Sequence, residues 1–122
     1  MKQGWGRILS ISSIAGIAGG AGQAGYSSTK AGLIGLTKTV ALEGARAGVT
    51  ANLLVLGPID TEAMRTSIRP EMLERIKSKN AMRRLGTAEE VGNMVAFLVS
   101  KKASFITGAE IVMDGGQRLF VF

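Results

Sequence analysis

The run Val49-Thr-Ala-Asn-Leu-Leu-Val-Leu56 constrains the fold of this 122-residue chain more than any other stretch. It is nearly continuously apolar and lacks the in-out alternation of a strand with one wet face. A strand covered on both faces reads this way, and such strands belong to parallel sheets packed between helices. Gly48 before it and Gly57-Pro58 after it mark its ends. The run therefore predicts a buried strand with neighbours on both sides.

The flanking segments supply the rest of that arrangement. Arg7 to Ser12 (RILSIS) is short, apolar and β-branched, and predicts a first strand. A Gly/Ala loop is expected from there through Gly25. Tyr26 to about Ala47 has helical periodicity, with Leu33, Leu36, Val40 and Ala41 or Leu42 on one side. Lys38, Glu43 and Arg46 can then face water, and Gly48 stops the helix. The small residues Ala31, Gly32 and Gly35 allow this helix to pack closely on a sheet or another helix. Asp60 to Ser78 suggests one or two short helices, with Pro70 opening the second. Thr87 followed by Glu90 has the spacing of a capping box, for a helix reaching about Val99. Glu110 to Met113 forms the last strand, turned by Asp114-Gly115-Gly116.

Strand, helix, strand, helices, strand is the order of two crossover units in an α/β fold. About three strands with flanking helices make a thin sheet for so apolar a centre. The expectation is a single partial domain, 1–122, equivalent to the second half of a larger doubly wound parallel sheet.

Composition narrows the chemistry. The chain has no Cys and no His. Disulfides, Cys/His zinc sites and histidine-based triads are therefore excluded, and no metal site is expected. Acid–base work falls to Tyr, Lys, Asp, Glu or Ser. Fifteen Lys and Arg against nine Asp and Glu give a net charge of +6. The basic residues are scattered and the aromatics few, which fits a solvated surface or an anionic cofactor or substrate better than nucleic acid. No apolar run has the length of a membrane span, and no secretory signal is read, so the expected location is cytoplasmic.

Gly20, Gly22 and Gly25 have the G-x-G-x-x-G spacing of a dinucleotide phosphate loop. That loop requires its first glycine at the end of a strand and an acid ending a second strand about 20 residues on. Here Gly20 stands well beyond Ser12, and the only candidate acid, Glu43, falls on a predicted helix. The glycines are better read as letting the loop pass close to a substrate or cofactor.

Tyr26 and Lys30 are four residues apart on a predicted helix and so share a face. A phenol is a weak base at neutral pH, but an ammonium held beside it favours the phenolate. Ser13, where the first strand runs out, can donate to the same substrate oxygen. By itself the pair reads more readily as a helix start with a solvated lysine, and that plainer account is favoured until context is added.

The context is "GRILSISSIAG…GQAGYSSTKAGLIGLTK" together with "RLGTAEEVGNMVAFLVS…ITGAEIVMDGG". These segments, in order and spacing, resemble the short-chain dehydrogenase/reductase family, as in 3-oxoacyl-(acyl carrier protein) reductases. The resemblance covers nearly all of the chain. It implies a Rossmann-type fold and oxidoreduction with NAD or NADP. The family's catalytic serine and Tyr-x-x-x-Lys motif match Ser13, Tyr26 and Lys30. By that resemblance Tyr26 is the general acid/base, Lys30 assists it and binds the nicotinamide ribose, and Ser13 orients the substrate oxygen. In "ANLLVLGPIDTEAM", the implied nicotinamide contacts are the backbones of Gly57 and Ile59, and the implied phosphate hydroxyl is Thr61. Gly57-Pro58 reads equally as a strand-ending turn.

The chain departs from the family pattern in three respects. The family's glycine-rich phosphate loop, adenosine-binding residue and relay asparagine match nothing here, so the cofactor site is expected to be incomplete and the isolated chain to bind nucleotide weakly and turn over little. Its Pro-Gly pair appears as Leu56-Gly57, with the proline displaced to Pro58. The apolar end "QRLFVF" is expected to be adhesive unless covered. The expected function is interconversion of a secondary alcohol and a ketone with NAD(P)(H), with a 3-oxoacyl thioester as the guessed substrate. The alternative is an inactive remnant serving as an oligomerisation or interaction module. Expected partners are a small-molecule or acyl-thioester substrate and either a homo-oligomer or a complementing N-terminal half, with neither nucleic acid nor membrane. Met64, Ile68, Met72, Leu73 and Ile76 offer either an apolar substrate pocket or ordinary core contacts.

Overall fold

The structure is a computed structural model that describes residues 4–119. β1 (Gly6–Ser13) leads through a short helix α1 (Ala15–Ala18) to the long helix α2 (Ala24–Gly44) and a 3-10 turn at Ala45–Ala47. β2 (Val49–Leu56) follows, then a two-residue strand β3 (Ile59–Asp60), α3 (Glu62–Ser67) and α4 (Pro70–Ser78). β4 (Gly86–Thr87), α5 (Ala88–Leu98), a 3-10 turn at Lys101–Ala103 and β5 (Glu110–Met113) complete the order.

The main sheet is parallel, in the order β1-β2-β5. β2 is the centre, and Ala51, Leu53, Leu54 and Val55 are fully buried. The expectation of a strand covered on both faces is met: this is an α/β fold with a three-stranded parallel sheet flanked by helices. Leu54 packs with Leu98 of α5 and with Ala103, joined by Leu9, Leu56, Val95 and Ile111. The odd-numbered side chains of β2 point to the opposite face, toward α2. On that side the Ser12 hydroxyl donates to the Lys30 carbonyl at 2.9 Å. Lys38 of α2 pairs with Glu110 of β5 at 2.8 Å.

Several local expectations are met and several are corrected. Gly48 is left-handed (φ 68) where the helical segment ends. Thr87 and Glu90 form the reciprocal capping box of α5. The loop expected through Gly25 instead contains α1, because Ile14 and Ala15 find intrahelical partners in Ala18 and Gly19. α1 separates the strand end from Gly20, Gly22 and Gly25, so these glycines do not form a strand-to-helix turn. The buried face of α2 is Thr37, Ala41 and Gly44, while Leu36 and Leu42 are exposed. The helix can approach the sheet there only through small side chains: a Cβ on Gly44 would stand 3.0 Å from Val49 Cβ. Gly32 and Gly35 instead face open space. The parallel pairing of β3 with β4, Ile59 opposite Gly86, was not signalled by the sequence. In the segment "QRLFVF", residues 120–122 lie outside the described residues, and Leu119 is exposed.

Candidate active site

β1 and β2 end side by side, with Ser13 opposite Leu56. This is the carboxyl edge of the sheet, where open α/β folds place their ligands. Ile14 N–H bonds Leu56 C=O at 2.9 Å and Gly57 N–H bonds Met113 C=O at 2.9 Å, fixing the three strand ends relative to one another. Gly57 sits so close to the neighbouring chain that a Cβ there would lie 2.7 Å from Asp114 Cα. The requirement for glycine is therefore steric.

A cleft of about 460 Å³ opens at this edge. Ser13, Tyr26 and Gly57 line it, with Ile14, Ala15, Pro58, Met64 and Ile76 as apolar wall. Gln23 and Gln117 add amide groups. Tyr26 is half exposed on the first turn of α2. The Ser13 hydroxyl accepts from Ala15 N–H at 3.2 Å, which orients its oxygen and leaves its proton free to donate. Two of the three candidate catalytic residues thus share one cleft. Lys30 is on the same helix face, its Nζ 5.8 Å from the centre of the Tyr26 ring. It does not line the cleft; its ammonium donates to the Ile11 carbonyl at 2.9 Å.

The expected cofactor residues divide between two places. Gly57 lines the cleft with its N–H committed to Met113, so only its carbonyl remains available. Ile59 lines an adjoining cavity of about 410 Å³ with Pro58, Met82, Arg84, Val91 and Met113. The Thr61 hydroxyl caps α3 by accepting from Met64 N–H at 3.2 Å, and its proton is free to donate. Of the five apolar residues between Asp60 and Asn80, Met64 and Ile76 reach the cleft, whereas Met72 lines a separate shallow depression. Gln117 was not anticipated: only the turn at Asp114-Gly115-Gly116 brings it to the cleft, and its Oε1 is buried without a hydrogen-bond partner.

Beside the second cavity, Arg84 makes two hydrogen bonds to Glu90, at 2.6 and 2.9 Å. The guanidinium, then the Thr87 backbone N–H, holds the Glu90 carboxyl down at about 2. Arg65 similarly lowers Asp60 through a two-point pair. Among the described residues, no group of three His, Cys, Asp or Glu could hold a metal ion, and no helix is long and apolar enough to cross a membrane.

The family model described as enoyl-(acyl carrier protein) reductase matches residues 1–118. The chain belongs to the short-chain dehydrogenase/reductase family. Among curated members of this family, it is 48% identical over 115 residues to the acetoacetyl-CoA reductase of Rhizobium meliloti (strain 1021), covering 94% of this chain and 48% of that protein. It is 46% identical over 117 residues to the 3-oxoacyl-[acyl-carrier-protein] reductase of Aquifex aeolicus, covering 96% and 47% respectively. Nodulation protein G of Azospirillum brasilense is 44% identical over 115 residues, covering 94% and 46%. The chain spans about half the length of these short-chain dehydrogenase/reductase relatives.

Proposed function

We propose that this chain carries the proton-transfer machinery of a short-chain oxidoreductase that interconverts a 3-oxoacyl thioester and its 3-hydroxy counterpart with NAD(P)(H). The observation that carries the reading is the convergence of Ser13 and Tyr26 on one cleft, with Lys30 a helical turn behind the phenol. The printed activities of two relatives, on acetoacetyl-CoA and 3-oxoacyl-[acyl-carrier-protein], support the substrate class.

In this reading Ser13 donates to the substrate oxygen. Tyr26 gives that oxygen a proton in reduction and removes it in oxidation. Lys30 releases the Ile11 carbonyl and turns toward the phenol and the nicotinamide ribose. The nicotinamide supplies or accepts the hydride. The Gly57 carbonyl, the Ile59 backbone and the Thr61 hydroxyl are the groups available to hold the nicotinamide end. The apolar wall of Ile14, Met64 and Ile76 suits an acyl chain.

A second reading, as a non-catalytic interaction module, is favoured by one observation: the outer edge of β1 has no strand partner among the described residues. Titration of the 122-residue chain with NAD(H) and NADP(H) by calorimetry separates the two. The chain alone is expected to bind nucleotide weakly and to turn over little, because the family's phosphate loop and adenosine-binding residue match nothing in it. Turnover of an acetoacetyl thioester on addition of a complementing N-terminal half, lost again in Tyr26→Phe, supports the oxidoreductase reading; no binding and no turnover in that mixture leaves the module reading in possession.

A further inference from the structure

One carboxylate builds the turn that follows β5. Asp114 Oδ1 accepts from Gly116 N–H at 2.9 Å. Its Oδ2 accepts from Arg118 N–H at 3.1 Å and from Arg118 Nε at 3.2 Å. The Asp114 carbonyl accepts from Gln117 N–H at 3.2 Å. Gly115 and Gly116 are both left-handed, with φ 62 and 80, which lets the chain reverse in so short a span. The turn is also held from outside, because Met82 N–H donates to the Gly115 carbonyl at 3.1 Å. Residue 117 lies inside this clamp. Its side chain is thereby delivered to the cleft that Ser13 and Tyr26 line.

Gln117 differs from the rest of the wall it joins. Ile14, Pro58, Met64 and Ile76 are apolar there. Gln23, the other amide of the cleft, is exposed, so water can serve it. Gln117 Oε1 is buried and accepts no hydrogen bond among the described residues. Leaving a buried acceptor without a donor is unfavourable, and native structures seldom do so without a reason. In a ligand cleft the missing donor is one that the ligand can bring.

We propose that Gln117 sets specificity for the thiol side of the substrate: its Oε1 accepts the N–H of a secondary amide in the arm of the thioester. The inference rests on the proposed oxidoreductase reading for the thioester itself and adds the arm to it. The chemistry of such a substrate selects the arm. A 3-oxoacyl thioester has two carbonyl oxygens and an alkyl end, and none of these can donate a hydrogen bond. In the proposed reaction the oxo group is already served by the hydroxyls of Ser13 and Tyr26. The nearest N–H of a pantetheine-type arm lies an ethylene unit beyond the sulfur. A glutamine suits that donor, since it is a neutral acceptor that can be buried without the cost of burying a charge. The contact also orients the substrate. The alkyl chain goes to the apolar wall and the arm leaves past the turn that follows β5.

A pair of probes isolates the donor. One is the acetoacetyl thioester of N-acetylcysteamine; the other is its isostere, in which an ester oxygen replaces the amide N–H. The cleft residues named above all belong to this chain, so binding is read on the chain itself by NMR titration. The unaltered chain is expected to bind the amide probe about three- to tenfold more tightly than the ester, the worth of one hydrogen bond. Gln117→Leu is expected to bring that ratio to about one, with the ester bound as before. The Gln117 side-chain NH2 resonance, assigned by its loss in Gln117→Leu, should shift more with the amide probe than with the ester. Because the ratio is taken within each variant, a general loss of stability does not imitate the result. Equal affinities in the unaltered chain, a ratio preserved in Gln117→Leu, or no binding of either probe overturns the proposal. Equal affinities together with turnover in the mixture with a complementing N-terminal half sink the role of Gln117 and leave the proposed chemistry standing. A preference that Gln117→Leu abolishes, in a mixture without turnover, keeps the amide contact and sinks the oxidoreductase reading.

Discussion

Lys30 Nζ donates a 2.9 Å hydrogen bond to the carbonyl of Ile11, nineteen residues earlier on the outer edge of the sheet. This contact joins the helix that carries Tyr26 to the strand that ends in Ser13, and it holds the ammonium in place without a carboxylate. Lys30→Met is expected to cost stability by about 0.5–1.5 kcal/mol, the net worth of one such bond. Denaturant unfolding followed by circular dichroism measures it, and a neutral result would show the bond to be idle in solution.

Tyr26 is the chain's one tyrosine, and it stands half exposed at the cleft. Tyr26→Phe keeps the ring and removes the hydroxyl. Turnover of an acetoacetyl thioester should fall by about 10²–10⁴-fold, the usual worth of a general acid/base, with nucleotide affinity almost unchanged. Parallel losses in kcat and in affinity would refute the proton-transfer role.

Gly57 admits no side chain, because the nearest atom to a built Cβ is the backbone Cα of Asp114 at 2.7 Å. A backbone neighbour cannot rotate away. Gly57→Ala should destabilise the fold by about 1–3 kcal/mol, as overpacking commonly does, and should deform the cleft wall. Gly32→Ala, on the exposed side of α2 with open space around it, is the control and should be neutral or stabilising.

Asn52 is buried in β2 and uses both ends of its amide. Its Nδ2 donates to Ile106 C=O at 2.8 Å and its Oδ1 accepts from Ala109 N–H at 3.0 Å. Asn52→Leu fits the apolar character of the strand but strands two backbone groups. A loss of about 2–4 kcal/mol is expected from thermal or denaturant unfolding.

Glu90 titrates at about 2, because Arg84 and the Thr87 backbone stabilise its charge. Since the folded value lies below the ordinary carboxylate value of 4.5, the stabilisation is complete above that value and is lost as pH falls toward about 2. Glu90→Gln should flatten the acid limb of the unfolding curve across that window and leave the slope between pH values near 7 and 8 untouched. An unaltered acid limb would assign the acid sensitivity to other carboxylates.

What the sequence determined by itself was whatever depends on neighbours along the chain. The apolar run from Val49 to Leu56 identified the central strand, since a strand buried on both faces needs no polar alternation. Thr87 and Glu90 declared their cap because both partners lie within one helical turn. Residues 13, 26 and 30 were singled out by the family resemblance, since spacing alone favoured a plain helix start with a solvated lysine. Tertiary structure decided whatever depends on approach between distant segments. It chose Thr37, Ala41 and Gly44 over Leu36 and Leu42 as the buried face of α2, because only small side chains fit under Val49. It brought Met64, Ile76 and Gln117 to the cleft from three separate segments. It also sent the Lys30 ammonium to the Ile11 carbonyl rather than to the cleft, a contact between segments nineteen residues apart that no local pattern can announce.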